Sequence, residues 1–173
     1  MRKILVVVDM QNDFIDGALG TAEALTIVEN VKARIREYDP ADVFVTMDTH
    51  APDYLSTQEG RNLPVEHCIK GTDGWQIRND IAELLTDAHV YEKPTFGSVA
   101  LAKVIAELSA AEDIEIELLG LCTDICVVSN ALLLKANMPE VKISVDHTCC
   151  AGVTPDSHEA ALKTMQMCQI NIF

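Results

Sequence analysis

A three-layer αβα fold with a mostly parallel sheet of about six strands is predicted by three observations. Short, continuous apolar runs rich in β-branched residues recur along the chain. Stretches with helical apolar spacing alternate with them. Polar, chemically capable residues follow directly after several of the runs. Continuous apolar runs suit strands buried on both faces, and alternation with helices implies Rossmann-type winding.

The first run, residues 4–8 (ILVVV), has no polar position and reads as a central strand. Residues 42–47 (DVFVTM) form a second, and residues 88–91 (AHVY) a weaker third. Residues 114–119 (IEIELL), 141–145 (VKISV) and 169–173 (QINIF) complete the set. IEIELL alternates, which places it nearer a sheet edge or gives it one partly covered face. Residues 21–38 carry Ala24, Ile27, Val28, Val31 and Ile35 on one side of a helix. Residues 76–85 and 99–108 read as shorter helices, and residues 124–136 as a buried one. Thr154 before Pro155 is an N-cap with proline at the first helical position. No repeat, low-complexity segment or linker interrupts residues 1–173, so a single domain is expected. The longest irregular part, residues 49–74, is long enough to suggest a functional loop.

Bulk composition narrows the function classes. Thirteen basic residues against 27 acidic ones give a formal charge of −14. Such a surface repels phosphate backbones and acidic lipid, so neither nucleic acid nor membrane is an expected partner. No apolar run approaches the roughly 18 residues that a membrane span requires. Met1 leads straight into the first strand without a secretory leader, and Cys149 and Cys150 are adjacent. Six free thiols in a reducing cytoplasm are therefore expected rather than disulfides.

Ligands of open α/β sheets bind beyond the carboxyl ends of the strands. Asp9 follows the first run, Asp48 and His50 the second, Lys93 the third, and residues 120–126 the fourth. Cys126 sits where a strand hands over to a helix. Free N–H groups and the helix dipole there lower a thiol pKa, and they receive a developing oxyanion. A free cysteine also packs readily as a small hydrophobe, and Cys122 is a rival nucleophile. Asp9 could take a thiol proton, or it could cap a helix. Lys93 could pair with Asp9 and hold a thiolate by charge. Asp48 and His50, two apart in an extended segment, point the same way, and His67 could close a metal set from the long loop. Two imidazoles and a carboxylate suit zinc, manganese or iron.

In combination these segments resemble the isochorismatase-like cysteine hydrolases, which include nicotinamidases, isochorismatases and N-carbamoylsarcosine amidases. VVVDMQNDF is similar to that family's opening strand, KPTFGS to the stretch around its lysine, and GLCTDICVVSNA to its nucleophile segment. The resemblance spans essentially the whole chain and implies Asp9, Lys93 and Cys126 as the catalytic set. It implies an oxyanion hole of the Cys122 and Cys126 N–H groups, after a cis peptide at Leu121–Cys122. MDTH followed by HCIKGTDGW resembles the nicotinamidase metal motif, with Asp48, His50 and His67 as ligands and Glu59 as a possible fourth. Phe14 matches a ring-packing position.

One departure stands out. Nicotinamidases place an aromatic residue shortly before the second histidine, where this chain has Leu63 and Pro64. Phe96 and Trp75 are the candidates for that missing face. The resemblance implies hydrolysis of nicotinamide to nicotinate and ammonia through a thioester, in NAD salvage, by a homo-oligomer (dimer or tetramer). Another small amide, a ureido compound or an isochorismate-like ether is the alternative substrate. A non-catalytic thiol-based binding or redox-sensing protein is the remote alternative.

Overall fold

A computed structural model describes residues 1–173. Six strands form one sheet: β1 (Arg2–Val8), β2 (Val43–Asp48), β3 (His89–Lys93), β4 (Ile114–Leu121), β5 (Lys142–Ala151) and β6 (Asn171–Ile172). Their order is β3-β2-β1-β4-β5-β6, and every pair is parallel. Ile4 to Val8 are fully inaccessible, as their unbroken apolar character requires. Fully burying such a side chain contributes about 1.5–3 kcal/mol, so this run alone is a large share of the core.

The helices are α1 (Asn12–Ile15), α2 (Ala22–Ile35), α3 (Gln58–Asn62), α4 (Asn79–Ala82), α5 (Val99–Ala111), α6 (Val128–Asn137) and α7 (Pro155–Met167). β1 to β3 step one way across the sheet, and β4 to β6 step the other. Right-handed crossovers therefore put α2 and α4 on one face, and α5, α6 and α7 on the opposite one. Thr21 caps α2 through its side chain and Ser98 caps α5. Thr154 and Ser157 form a capping box on α7, with proline in its first turn. The winding reverses between β1 and β4, and this switch point is where the site lies.

Several expectations are corrected. The 114–119 run lies in the middle of the sheet, not at an edge. Its alternation reflects Glu115 and Glu117, and Glu117 is buried because Arg34 and Tyr38 reach it from the α2 side. Of residues 76–85, only Asn79–Ala82 is α-helical. The helix expected from residue 124 begins with a π-helical turn, Thr123–Val127, before α6. The 49–74 loop contains a 3₁₀ turn (Tyr54–Ser56) and α3, both invisible to periodicity because each is one turn long. The 141–145 run extends much further than its apolar residues, because β5 continues through Asp146 and His147 to Ala151. Asp146 accepts bonds from its neighbours Thr148 and Cys149, and His147 bonds the Phe173 carbonyl, so neither borders the site.

All six cysteines are free, and only Cys168 is exposed. No helix is long and apolar enough to cross a membrane.

Candidate active site

The sheet delivers the site residues at neighbouring strand ends. Asp9 leaves β1 with φ of 47°, a left-handed backbone that costs a non-glycine residue on the order of 1–2 kcal/mol. Local bonds offset that cost. The Asp9 N–H donates to the Thr46 carbonyl at 3.1 Å, and the Gln11 N–H donates to the Asp9 carbonyl at 2.7 Å. The Thr46 hydroxyl donates to Asp9 Oδ1 at 2.6 Å. Gln11, fully buried, then acts as a surrogate strand for the end of β2. Its amide accepts from the Asp48 N–H and donates to the Asp48 carbonyl, both at 2.8 Å.

Lys93, at the end of β3, reaches back across β2 into the centre. Its Nζ lies 2.7 Å from Asp9 Oδ2, 3.5 Å from Asp48 Oδ1 and 3.4 Å from Cys126 Sγ. Asp9, Lys93 and Cys126 are all buried, so the structure brings the three into one contact group. Burial pushes the Asp9 carboxyl up from its ordinary value, and the Lys93 charge opposes this. For Lys93, burial pulls down, but the charges of Asp9, Cys126 and Asp48 outweigh it, so the ammonium is retained.

The thiol differs from expectation. Burial pushes Cys126 well above the ordinary thiol value, the Asp9 charge adds to that, and Lys93 opposes it. The start of a helical turn does not prevail over complete desolvation, and the resting group is a neutral thiol beside an ion pair. Cys122 is pushed up to about 12, chiefly by burial. It makes no hydrogen bond to Lys93; it lines the same cavity and precedes the Thr123–Val127 turn. The Leu121–Cys122 peptide is cis. The Cys122 N–H donates to no protein acceptor, and the Cys126 N–H to none outside its own turn.

Beside this group is a second one. One ligand atom from each of Asp48, His50 and His67 falls within 4.8 Å of the others. His50 Nε2 is 2.9 Å and His67 Nε2 3.5 Å from Asp48 Oδ2, and Glu59 Oε1 is 3.7 Å from both imidazoles. His67 Nδ1 donates to the Val65 carbonyl at 2.8 Å, which directs Nε2 toward the cluster, the outer-shell arrangement of metal-binding histidines. Burial pushes Asp48 up, but the two histidines and Lys93 outweigh it, so its carboxyl lies well below the ordinary range. The donor set, two imidazole nitrogens and a permanent carboxylate with a second carboxylate at the rim, fits a divalent cation such as zinc.

The two groups face a cavity of about 400 Å³, whose walls include Phe14, Leu19, Leu63, Phe96, Ile125 and Cys126. Phe14 is nearly buried, with its ring 5.6 Å from that of His67. Phe96 is half exposed at the mouth. Trp75 does not reach the cavity. Its indole N–H donates to Thr49 and Lys70 lies over its ring, so it packs the loop.

Sequence reasoning passed over several supporting residues. Besides Gln11 and Thr46, Tyr54 is fully buried, its ring 4.7 Å from His50 and 5.0 Å from His67. Asn130 accepts from the Ser98 N–H at 2.9 Å and donates to the carbonyls of Cys126 at 2.8 Å and Phe96 at 3.2 Å. It thereby ties the loop after Lys93 to the segment bearing Cys126. An amide near the start of a mostly apolar helix, four residues after Cys126, was the available signal.

Fold and site together define an α/β protein with a buried acid–amine–thiol group next to a two-histidine, one-carboxylate cluster. The chain belongs to the isochorismatase family, whose domain model matches residues 3–172. A nicotinamidase/pyrazinamidase of Mycobacterium tuberculosis is 26% identical over 191 residues, 98% of this chain and 97% of that protein. A nicotinamidase/pyrazinamidase of Bacillus subtilis is 27% identical in its crystal structure, with a TM-score of 0.81 over 99% of each chain. The pyrazinamidase of Pyrococcus horikoshii, solved in complex with zinc, is 25% identical, with a TM-score of 0.81 over 100% of this chain and 99% of that one.

Proposed function

We propose that this protein is a cysteine-dependent amidohydrolase that cleaves nicotinamide to nicotinate and ammonia, a reaction of NAD salvage. The observation that carries the reading is the single contact group of Asp9, Lys93 and Cys126, opening on a cavity with a metal-type cluster. The similarity to nicotinamidases supports it.

Asp9 removes the Cys126 proton as the sulfur attacks the carboxamide carbon. Proton transfer and attack proceed together, because a free thiolate is costly in so buried a position. The raised carboxyl pKa of Asp9 makes it the better base for this. As the C–S bond forms, the carbonyl electron pair moves onto oxygen, which accepts from the Cys122 and Cys126 N–H groups. Collapse breaks the C–N bond, and the leaving nitrogen takes the proton from Asp9 and departs as ammonia. Asp9 then deprotonates a water that attacks the thioester; the acid is released and the proton returns to sulfur. Lys93 keeps its charge throughout and balances Asp9 and the sulfur in turn. Asp48, His50 and His67, with Glu59 at the rim, would hold the divalent ion, which would supply a ligand position for the pyridine nitrogen. Phe14 and Phe96 would pack on the ring.

One observation favours a second reading, another small amide or a ureido compound. The wall at Leu63 is aliphatic, and of the loop side chains that line the cavity only the His67 imidazole is aromatic. Ammonia release from a panel of amides including nicotinamide separates the two. For either, Cys126→Ala is expected to abolish turnover; activity near the wild-type level would sink the nucleophile assignment.

A further inference from the structure

The Thr123–Val127 turn carries the Cys126 N–H assigned to the oxyanion and directly follows the Cys122 one, yet the regular backbone ladder does not hold it. The Cys122 carbonyl accepts from Ile125 at 3.1 Å and from Val127 at 3.0 Å, skipping Cys126 between them. A π-helical turn of this kind needs outside support to keep one shape. Two side chains connect it to the segment that starts α7. The Asp124 carboxylate accepts from the Val153 N–H at 3.1 and 3.2 Å. Thr123 Oγ1 lies 2.8 Å from His158 Nδ1, and the hydroxyl has no other side-chain or backbone partner.

This second connection joins a rigid anchor to a fully buried residue. Thr123 is inaccessible, and His158 stands on α7, whose start is fixed by its capping box. Gly152 packs so closely that an added Cβ would lie 2.9 Å from the backbone nitrogen and from the Cβ of His158. Burial holds the imidazole below its ordinary value, and His147 acts the same way, while Glu159 and Asp124 oppose. The neutral ring and the threonine hydroxyl share one hydrogen bond at Nδ1, its direction set by the imidazole tautomer.

We propose that His158 is a positioning residue that, through Thr123, sets the alignment of the Cys122 and Cys126 N–H groups toward the developing oxyanion. The inference rests on the thioester reading above. Thr123 adjoins Cys122 and opens the turn that ends just past Cys126, so rotation of its backbone moves both donors. Losing one oxyanion donor outright costs about 10²–10³ in kcat. Misaligning donors without removing them is expected to cost about 10- to 100-fold, with substrate binding unchanged.

The test is steady-state ammonia release from nicotinamide by His158→Leu, Thr123→Val and the double variant, with Thr123→Ser and His158→Asn as conservative rescues. The expected result is a lower kcat in each single variant, an unchanged KM, no further loss in the double variant, and near wild-type kcat in both rescues. A KM rise with kcat intact, single losses that multiply in the double variant, or unimpaired single variants would each overturn the proposal. If His158→Leu does not fold, Thr123→Val against Thr123→Ser decides in the same way. Cys126→Ala is measured alongside: turnover persisting there removes the thioester reading and this one together. An inactive Cys126→Ala with unimpaired His158 and Thr123 variants removes this one alone.

Discussion

Replacing Lys93 by methionine removes the only cation touching Asp9, and the structure fixes both the size and the pH dependence of the result. The ammonium sits 2.7 Å from Asp9 and 3.5 Å from Asp48, and none of the three side chains is more than 5% exposed. Removing one partner of a buried pair costs about 3–5 kcal/mol, because the remaining charge is stranded. Burial already raises the Asp9 pKa against the pull of Lys93, so the variant raises it further. Below the unfolded carboxyl value of about 3.9, both folded and unfolded chains carry the proton and this part of the cost is absent. As pH rises, the unfolded chain releases the proton while the folded one retains it, so stability falls by about 1.4 kcal/mol per unit until the folded pKa is passed. Wild type follows the same slope up to its own raised folded pKa, so the variant's additional loss builds only above that point, and roughly 4 kcal/mol between about pH 4 and pH 7 is its upper bound. Urea unfolding of variant and wild type at pH 5, 6 and 7, followed by far-ultraviolet circular dichroism, measures it. The double variant Asp9→Asn/Lys93→Met should recover most of the loss. A loss below about 1 kcal/mol at pH 7, or the same loss at pH 5 and pH 7, would refute the stranded-charge argument.

Three further outcomes are expected. Dialysis against a chelator should lower nicotinamide cleavage, zinc or manganese should restore it, and His67→Ala should lose the bound metal measured by atomic absorption; full activity in metal-free protein would exclude a role for the ion. Arg34→Met leaves the Glu117 carboxylate without its two 2.6 Å bonds from the guanidinium in the middle of the sheet. It should cost about 2 kcal/mol in chemical denaturation, since Arg34 is partly solvated and Tyr38 still bonds Glu117. Gly120→Ala would put a Cβ 2.1 Å from the Val8 carbonyl oxygen at φ of 120°. A loss of about 3 kcal/mol or more in thermal unfolding is expected, and a melting temperature equal to wild type would show that β1 and β4 can separate there.

Residues whose signal is local were legible in the sequence. The 4–8 run is a central strand because no polar side chain breaks it, and the residues after β1 to β4 meet at one sheet edge because parallel strands end on one side. The fold class follows from that alternation alone. What depended on distant partners was not legible. Glu117 reads as a solvent-facing position until Arg34 on α2 and Tyr38 just beyond that helix arrive from some eighty residues earlier. Gln11 is an ordinary amide until the end of β2 and Trp75 claim its hydrogen bonds. The raised thiol pKa of Cys126 was not legible for a related reason. The helical turn beside Cys126 is visible in sequence, but the depth at which the completed sheet buries it is not.

The place of β1 in the sheet has a consequence for biosynthesis. Arg2 pairs with Ile114 and Val8 with Gly120, so β1 leaves the ribosome 112 residues (114 − 2) ahead of one of its two neighbours. At translation rates of 5–20 residues per second, that interval is on the order of ten seconds. During it, the most apolar stretch of the polypeptide has one flank covered by β2 and the other bare, a template for sticking to other nascent chains. Because the pocket is assembled from both sides of the β1–β4 seam, chemistry becomes available only after that late closure.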